Sequence, residues 1–329
     1  MRRAARYRGG MPSPRHPLAL ALSACLALPF AACAGEDPAP DGPTVRITER
    51  AVEFTTGPFT VPGGTDSFEC FYTDVITDRE LAIAAATGLQ GPGGHHLTAY
   101  YTTATRPAEH HPCTEEEMAS WTMIAGTGGE AGVGDDQSLP PGLAIRVPAG
   151  VQLVLQAHYI NTAPAPLTTD DSVSLEVLPP AEVEGYANML VVHDDAFEIP
   201  ARTRYRSTSV CTLTAPSLNV VLFMGHMHAS GRQFSLELLP ETGDTGSMLY
   251  DVAWSDEYSS HPPVLRYERS APLVLTGGTR FRQTCTWENT SDQPLIFPNE
   301  MCDGVFFYYP DAGDGMIVCN PESQVGESF

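Results

Sequence analysis

"GVQLVLQAHYINT" (residues 150–162) opens on glycine after a Pro-containing turn, runs through an apolar stretch and closes on Asn-Thr. The same frame returns 128 positions later as "GTRFRQTCTWENT" (278–290), without a gap and with an aromatic residue at the matching place, Tyr159 against Trp287. An apolar run of this length between turn residues reads as a buried β-strand. Its return fits two β-sandwiches built alike.

The rest of the chain reads the same way. "TVRITERAVEF", "DSFECFYTDV", "SVSLEVL", "NVVLFMGHMH", "RQFSLELL" and "GVFFYY" are short, β-branched or aromatic, and separated by Gly, Pro and Asp. With 29 Gly, 29 Pro and hardly any 3.6-residue pattern, the expected fold is all-β, a sandwich or jelly roll. "LPPAEVEGY" (178–186) ends a strand in Pro-Pro and acidic, small residues, which places an N-terminal domain at 44–180 and a C-terminal one at 183–329. "MASWTMIAG" (118–126) is a candidate for a helical turn or two.

The beginning of the chain reads as an address. Basic residues up to Arg15 lead into "PLALALSACLALPFAAC", too short for a transmembrane helix and ending in small residues, as in a bacterial secretory signal (1–33). "FAAC" resembles a lipobox with Cys33 as the lipidated residue, cleavage near Ala32–Ala34 being the alternative. Residues 34–43 read as a tether. The expected location is the bacterial cell envelope or the medium outside it.

Charge excludes one class of partner. All 18 bases are arginine; five precede the first apolar run, leaving 13 against 40 acids and a formal charge of −27 beyond it. Such a surface repels nucleic acid. Beyond Cys25 and Cys33 six cysteines remain, and an even number in an exported chain without C-x-x-C indicates disulfides rather than a thiolate metal site. Spacing leaves 15 pairings open.

The histidines carry the chemistry. In "GHMHASGR" (225–232), His226 and His228 alternate onto one face of a strand, where two parallel imidazoles suit a metal ion. His95 and His96 follow the bend-forming "GPGG", and His158 lies in the quoted strand. Adjacent residues on a regular strand diverge, so His95 and His96 can share an ion only if the backbone bends. Met301, in "FPNEMCDGVFFYYP", offers a soft thioether that favours Cu(I). Gln156 and Tyr159 flank His158 and are candidates to orient it. His110-His111, in "PAEHHPC", reads as a solvated pair in a polar loop.

Taken in order, "HH", "QxHY", "HxHxxGR", "EMC" and "YYP" resemble the copper type II, ascorbate-dependent monooxygenases, the family that includes dopamine β-hydroxylase and the peptidylglycine α-hydroxylating enzymes. The likeness spans roughly residues 45–320. It implies two tandem jelly-roll domains facing across a cleft, each holding one copper ion. His95, His96 and His158 match the electron-transfer copper, and His226, His228 and Met301 match the copper that binds O2 and substrate. Cys70–Cys113, Cys211–Cys319 and Cys285–Cys302 match the family's bridges. The implied activity is hydroxylation of a C–H bond of a small organic substrate, with O2 and a reductant such as ascorbate; copper storage without catalysis is the alternative. Amidating members carry Arg where this chain has Met224, and Asn and Tyr where it has Asp303 and Val305, which argues against a peptidylglycine substrate.

Overall fold

Along Gln152–Asn161 the side chains alternate between two buried environments. Leu153, Leu155, Ala157 and Tyr159 enter the apolar core of the first half. Gln152, Val154, Gln156 and His158 stand on the opposite face and are buried there as well. The computed structural model describes residues 42–129, 138–313 and 315–329. The expected signal, nearly all of the tether and Cys33 lie outside the described residues.

The described residues form the expected all-β sandwich architecture. In the first half a five-stranded sheet runs Glu109–Pro112, Thr65–Ile76, Gln152–Asn161, Gly94–Thr102, Thr122–Thr127. It packs on Ala51–Thr55, Ser172–Val177, Leu81–Leu89 and Leu143–Val147 around Phe54, Phe71, Leu81 and Leu155. In the second half the sheet Ser247–Ala253, Gly231–Leu239, Arg280–Asn289, Thr203–Thr212, Ser323–Ser328 packs on Gly185–His193, Asp303–Tyr309 and Ser217–His226 around Phe223, Phe234, Trp287 and Phe306.

The repeated sequence frame has a structural counterpart. Asn161 donates from Nδ2 to the Pro62 and Ala165 carbonyls at 3.0 and 3.1 Å, and its Oδ1 accepts the Ala163 N–H. Asn289 donates to the Pro200 and Gln293 carbonyls at 3.1 and 2.8 Å, and its Oδ1 accepts the Ser291 N–H. Each asparagine closes the corner after its strand by replacing backbone partners that the turn leaves unmade.

The halves are joined more closely than the resemblance implies. Gly185–His193 pairs in parallel with Leu143–Val147, setting Gly185 against Leu143 and Ala187 against Ile145. One 11-stranded sheet therefore passes from the first half into the second. Met189, Val221, Leu222, Met224 and Phe307 of the second half belong to the first half's core. The halves share a sheet and a core.

"MASWTMIAG" is mostly not helical. An α-helix at Glu115–Met118 ends where that stretch begins, and Thr122–Thr127 is a strand. The helix start is fixed by a capping box: Thr114 Oγ1 accepts the Glu117 N–H while the Glu117 carboxylate accepts the Thr114 N–H.

Cys70–Cys113, Cys211–Cys319 and Cys285–Cys302 are bonded, with Cα separations of 5.2, 5.8 and 6.0 Å. Three bridges fit an oxidising, exported setting. No helix among the described residues is long and apolar enough to cross a membrane.

Candidate metal centre

Local irregularities aim the histidines. Gln152–Asn161 pairs with Gly94–Thr102 so that His158 faces His96 while Tyr159 faces Gly94. His95 is the extra residue between them, a β-bulge that turns it out of the strict alternation. The bend that lets two adjacent histidines share one site is this bulge, introduced by Gly93 with φ +81°. In the second half, Phe223 and Met227 point into that half's own core. Leu222 and Met224 face the first half instead. His226 continues their face, and His228 follows just beyond the strand's end. Gly225 is required here because a Cβ would stand 2.6 Å from the Phe234 ring.

These features bring His95, His96, His158 and His228 together, with one nitrogen of each lying within 4.8 Å of the others. Their six ring-centre separations run from 4.8 to 6.2 Å. Four imidazoles converging tetrahedrally on one ion at about 2.0–2.1 Å would place ring centres roughly 5 Å apart. The arrangement fits one metal ion.

Hydrogen bonds set which nitrogen faces inward. His158 Nε2 lies 2.6 Å from Asp66 Oδ1, so Nε2 carries the hydrogen and Nδ1 turns its lone pair toward His96 Nε2, 3.1 Å away. His228 donates from Nδ1 to the Asn299 carbonyl at 3.1 Å, leaving Nε2 bare. His228 Nε2 and His95 Nε2 are both buried without a hydrogen-bond partner. An unsatisfied buried nitrogen costs about 1–3 kcal/mol, and two aimed at one point are the donor set a cation would satisfy.

Burial and mutual repulsion keep the rings of His95, His96 and His228 neutral. Desolvation, then the nearness of His158 and His226, lowers His95 to about 2. His96 and His228 are likewise held well below the ordinary imidazole range, first by burial and then by the neighbouring histidines. His226 is lowered by burial, an effect that Asp303 opposes.

His226 stands at the margin of this group. The His226 ring is 5.2 Å from His228 and 6.0 Å from His96. Met301 is half-buried, and its N–H bonds Glu300. The two ligand triads implied by the resemblance are thus not held apart; four imidazoles drawn from both halves form one group. The residues expected to orient His158 also act elsewhere. Gln156 shares the His158 face but donates to Met118 Sδ. Strand alternation turns Tyr159 to the other face, where its hydroxyl donates to Asp171 Oδ1 at 2.5 Å. That same oxygen accepts the Gly91 N–H, so Tyr159 braces the glycine-rich turn rather than the His158 ring.

Sequence reasoning missed Asp66, Glu300 and Asp303. Asp66 is 92 positions from His158, and only strand pairing brings the two together. Glu300 was readable as part of "EMC"; burial pushes it up to about 7 against the pull of four N–H donors. Asp303 pairs in register with both His226 and His193 and binds His193 Nδ1 at 2.7 Å. His110 and His111 are not a solvated loop. They sit in a strand, bonded to Glu69 at 2.9 Å and Glu117 at 3.0 Å and stacked on Phe71 and Tyr72. His111 also lines a cleft of about 520 Å³ with Arg106 and Glu109.

No protein-family model matches the chain, and no curated protein does. Among solved structures, it is similar to PNGase F, a glycosylasparaginase from Flavobacterium meningosepticum, at 11% identity over 88% of this chain and 96% of that one, with a TM-score of 0.28. Sulfolobus turreted icosahedral virus provides another likeness, at 12% identity over 79% of this chain and 56% of that one, with a TM-score of 0.23. Likenesses this slight carry no argument about fold or activity.

Proposed function

We propose that this protein is an exported copper enzyme, a monooxygenase that hydroxylates a C–H bond of a small organic molecule with O2 and a reductant such as ascorbate. One observation carries the reading: His95 Nε2 and His228 Nε2, buried and unpartnered, converge with His96 and His158 on a single point. His95, His96, His158 and His228 would hold the ion, and copper suits an all-imidazole set. Copper, when bound, supplies one-electron redox chemistry and a partner for O2. The ordered motifs that resemble the copper type II family name the reaction.

The chain's own residues supply orientation and exclusion. Asp66 and the Asn299 carbonyl fix the tautomers of His158 and His228, so their lone pairs point inward without rearrangement. Burial of His95, His158 and His228 keeps bulk water from the inner side. His96 and His226 are the half-exposed members, so substrate and reductant approach from their side. The strong acid excess disfavours nucleic acid as a partner. Cys33 is the proposed lipid anchor.

The runner-up is copper holding without catalysis. It is favoured by the low exposure of His158 and His228, 0% and 2%, in a group that already offers four nitrogens to one ion. Anaerobic loading with copper, reduction by ascorbate and addition of O2 with a panel of small amines, phenols and acylglycines separates the two. The enzyme reading expects a product heavier by one oxygen, detected by mass spectrometry. Tight copper binding with no O2 uptake would leave only the storage reading.

A further inference from the structure

Glu300 is 1% exposed, and its carboxylate meets no cationic side chain in its hydrogen bonds. It accepts four N–H groups instead. Oε2 takes those of His228 at 3.0 Å, Met301 at 3.2 Å and the Trp287 indole at 3.0 Å. Oε1 takes that of Ser230 at 2.7 Å. The donors come from three segments: the turn that carries His228, the Arg280–Asn289 strand, and the chain that carries Met301.

The neighbouring residue completes the grip. The Asn299 carbonyl accepts the His228 ring hydrogen at Nδ1, so one dipeptide holds both the backbone and the ring of His228. Two residues on from Glu300, the Cys285–Cys302 bridge ties this segment to the strand that carries Trp287. Because His228 lies beyond the last paired residue of its strand, the β-ladder does not fix its backbone. Something else must.

On the metal-site reading given above, we propose that Glu300 is the positioning residue of the centre: its carboxylate fixes the 228–230 turn so that His228 Nε2 is delivered to His95, His96 and His158. A carboxylate is needed because only an accept-only group with two oxygens satisfies these four donors. Gln fills the same volume but turns hydrogens toward one of the donor groups.

The test is Cu(II) titration of the full chain against a competing chelator, with nitrogen superhyperfine structure read by electron paramagnetic resonance. Glu300→Gln is expected to weaken binding by about 10–100-fold and to remove one nitrogen from the copper spectrum. Asn289→Ala serves as the control: it removes a buried polar corner of the same half but should leave the spectrum unchanged. Should Glu300→Gln not fold, Trp287→Phe deletes one of the four donors while keeping the aromatic bulk, and a several-fold loss is expected. Wild-type affinity and nitrogen count in a folded Glu300→Gln or Trp287→Phe chain overturn the role of Glu300 alone. An equal loss in Asn289→Ala overturns it too. Failure of the wild-type chain to bind copper overturns the metal reading and this role with it.

Discussion

His158 Nε2 and Asp66 Oδ1 stand 2.6 Å apart, and this contact decides which nitrogen of His158 faces the other imidazoles. Asp66→Ala releases the ring to flip or change tautomer. Metal affinity is expected to fall about 10–100-fold with the fold retained, as measured by chelator competition and circular dichroism. An unchanged affinity would show that Phe68, stacked on His158 at 4.0 Å, holds the ring unaided.

Stoichiometry separates one shared centre from two. His95→Ala and His228→Ala, from opposite halves, are each expected to lose the same ion. The double variant should then lose no more than either single one. Metal counting by mass spectrometry on disulfide-intact protein checks this, and a single variant that keeps a tightly held ion would restore the two-centre arrangement.

Met301 would offer a thioether, whereas His95, His96, His158 and His228 offer the four nitrogens. Met301→Ile keeps apolar volume and deletes sulfur, so the shared ion should stay bound with its nitrogen count intact. If the thioether serves O2 chemistry, product formation should drop at least tenfold while copper content holds. Equal turnover in both proteins would make Met301 a packing residue.

The depressed pKa values set the pH response of binding. Because burial holds His95, His96 and His228 below the ordinary range, their lone pairs stay free of protons as pH falls from 7 to 5. Copper affinity should therefore fall far less over that range than three imidazoles titrating near 6.5 would make it, each of which loses about tenfold per unit below that value. Calorimetric titration at both pH values distinguishes the two patterns.

The Cys285–Cys302 bridge closes 17 residues. Replacing both cysteines with serine is expected to cost about 3 kcal/mol, seen as a lower midpoint in urea. Copper affinity should fall with it, because Cys302 adjoins the segment that holds His228.

Much of this was readable before any coordinates. The apolar frame ending in Asn-Thr reported its own structural role, since Asn161 and Asn289 make matching corner bonds. Imidazoles at His95, His96, His158 and His228 were legible because burying so many titratable rings in strands has little purpose without a ligand. What stayed hidden depends on long-range backbone pairing. The bulge at His95, the Asp66 contact and the parallel pairing of Gly185 with Leu143 leave no local periodicity. The helix at Glu115–Met118 was different. Its Thr-x-x-Glu capping signal is local and marks the helix start just upstream of the apolar residues that follow.

The single connection at residues 178–184 has a further meaning. Among the described residues no disulfide crosses it: Cys70–Cys113 lies wholly before it, and Cys211–Cys319 and Cys285–Cys302 lie wholly after. A protease nick there would sever the only covalent tie between the halves among the described residues, yet the Gly185–Leu143 pairing and the common core would remain. The product would be a heterodimer of two unequal pieces, with three histidines on one subunit and the fourth on the other. The candidate metal centre thus has the character of a subunit interface.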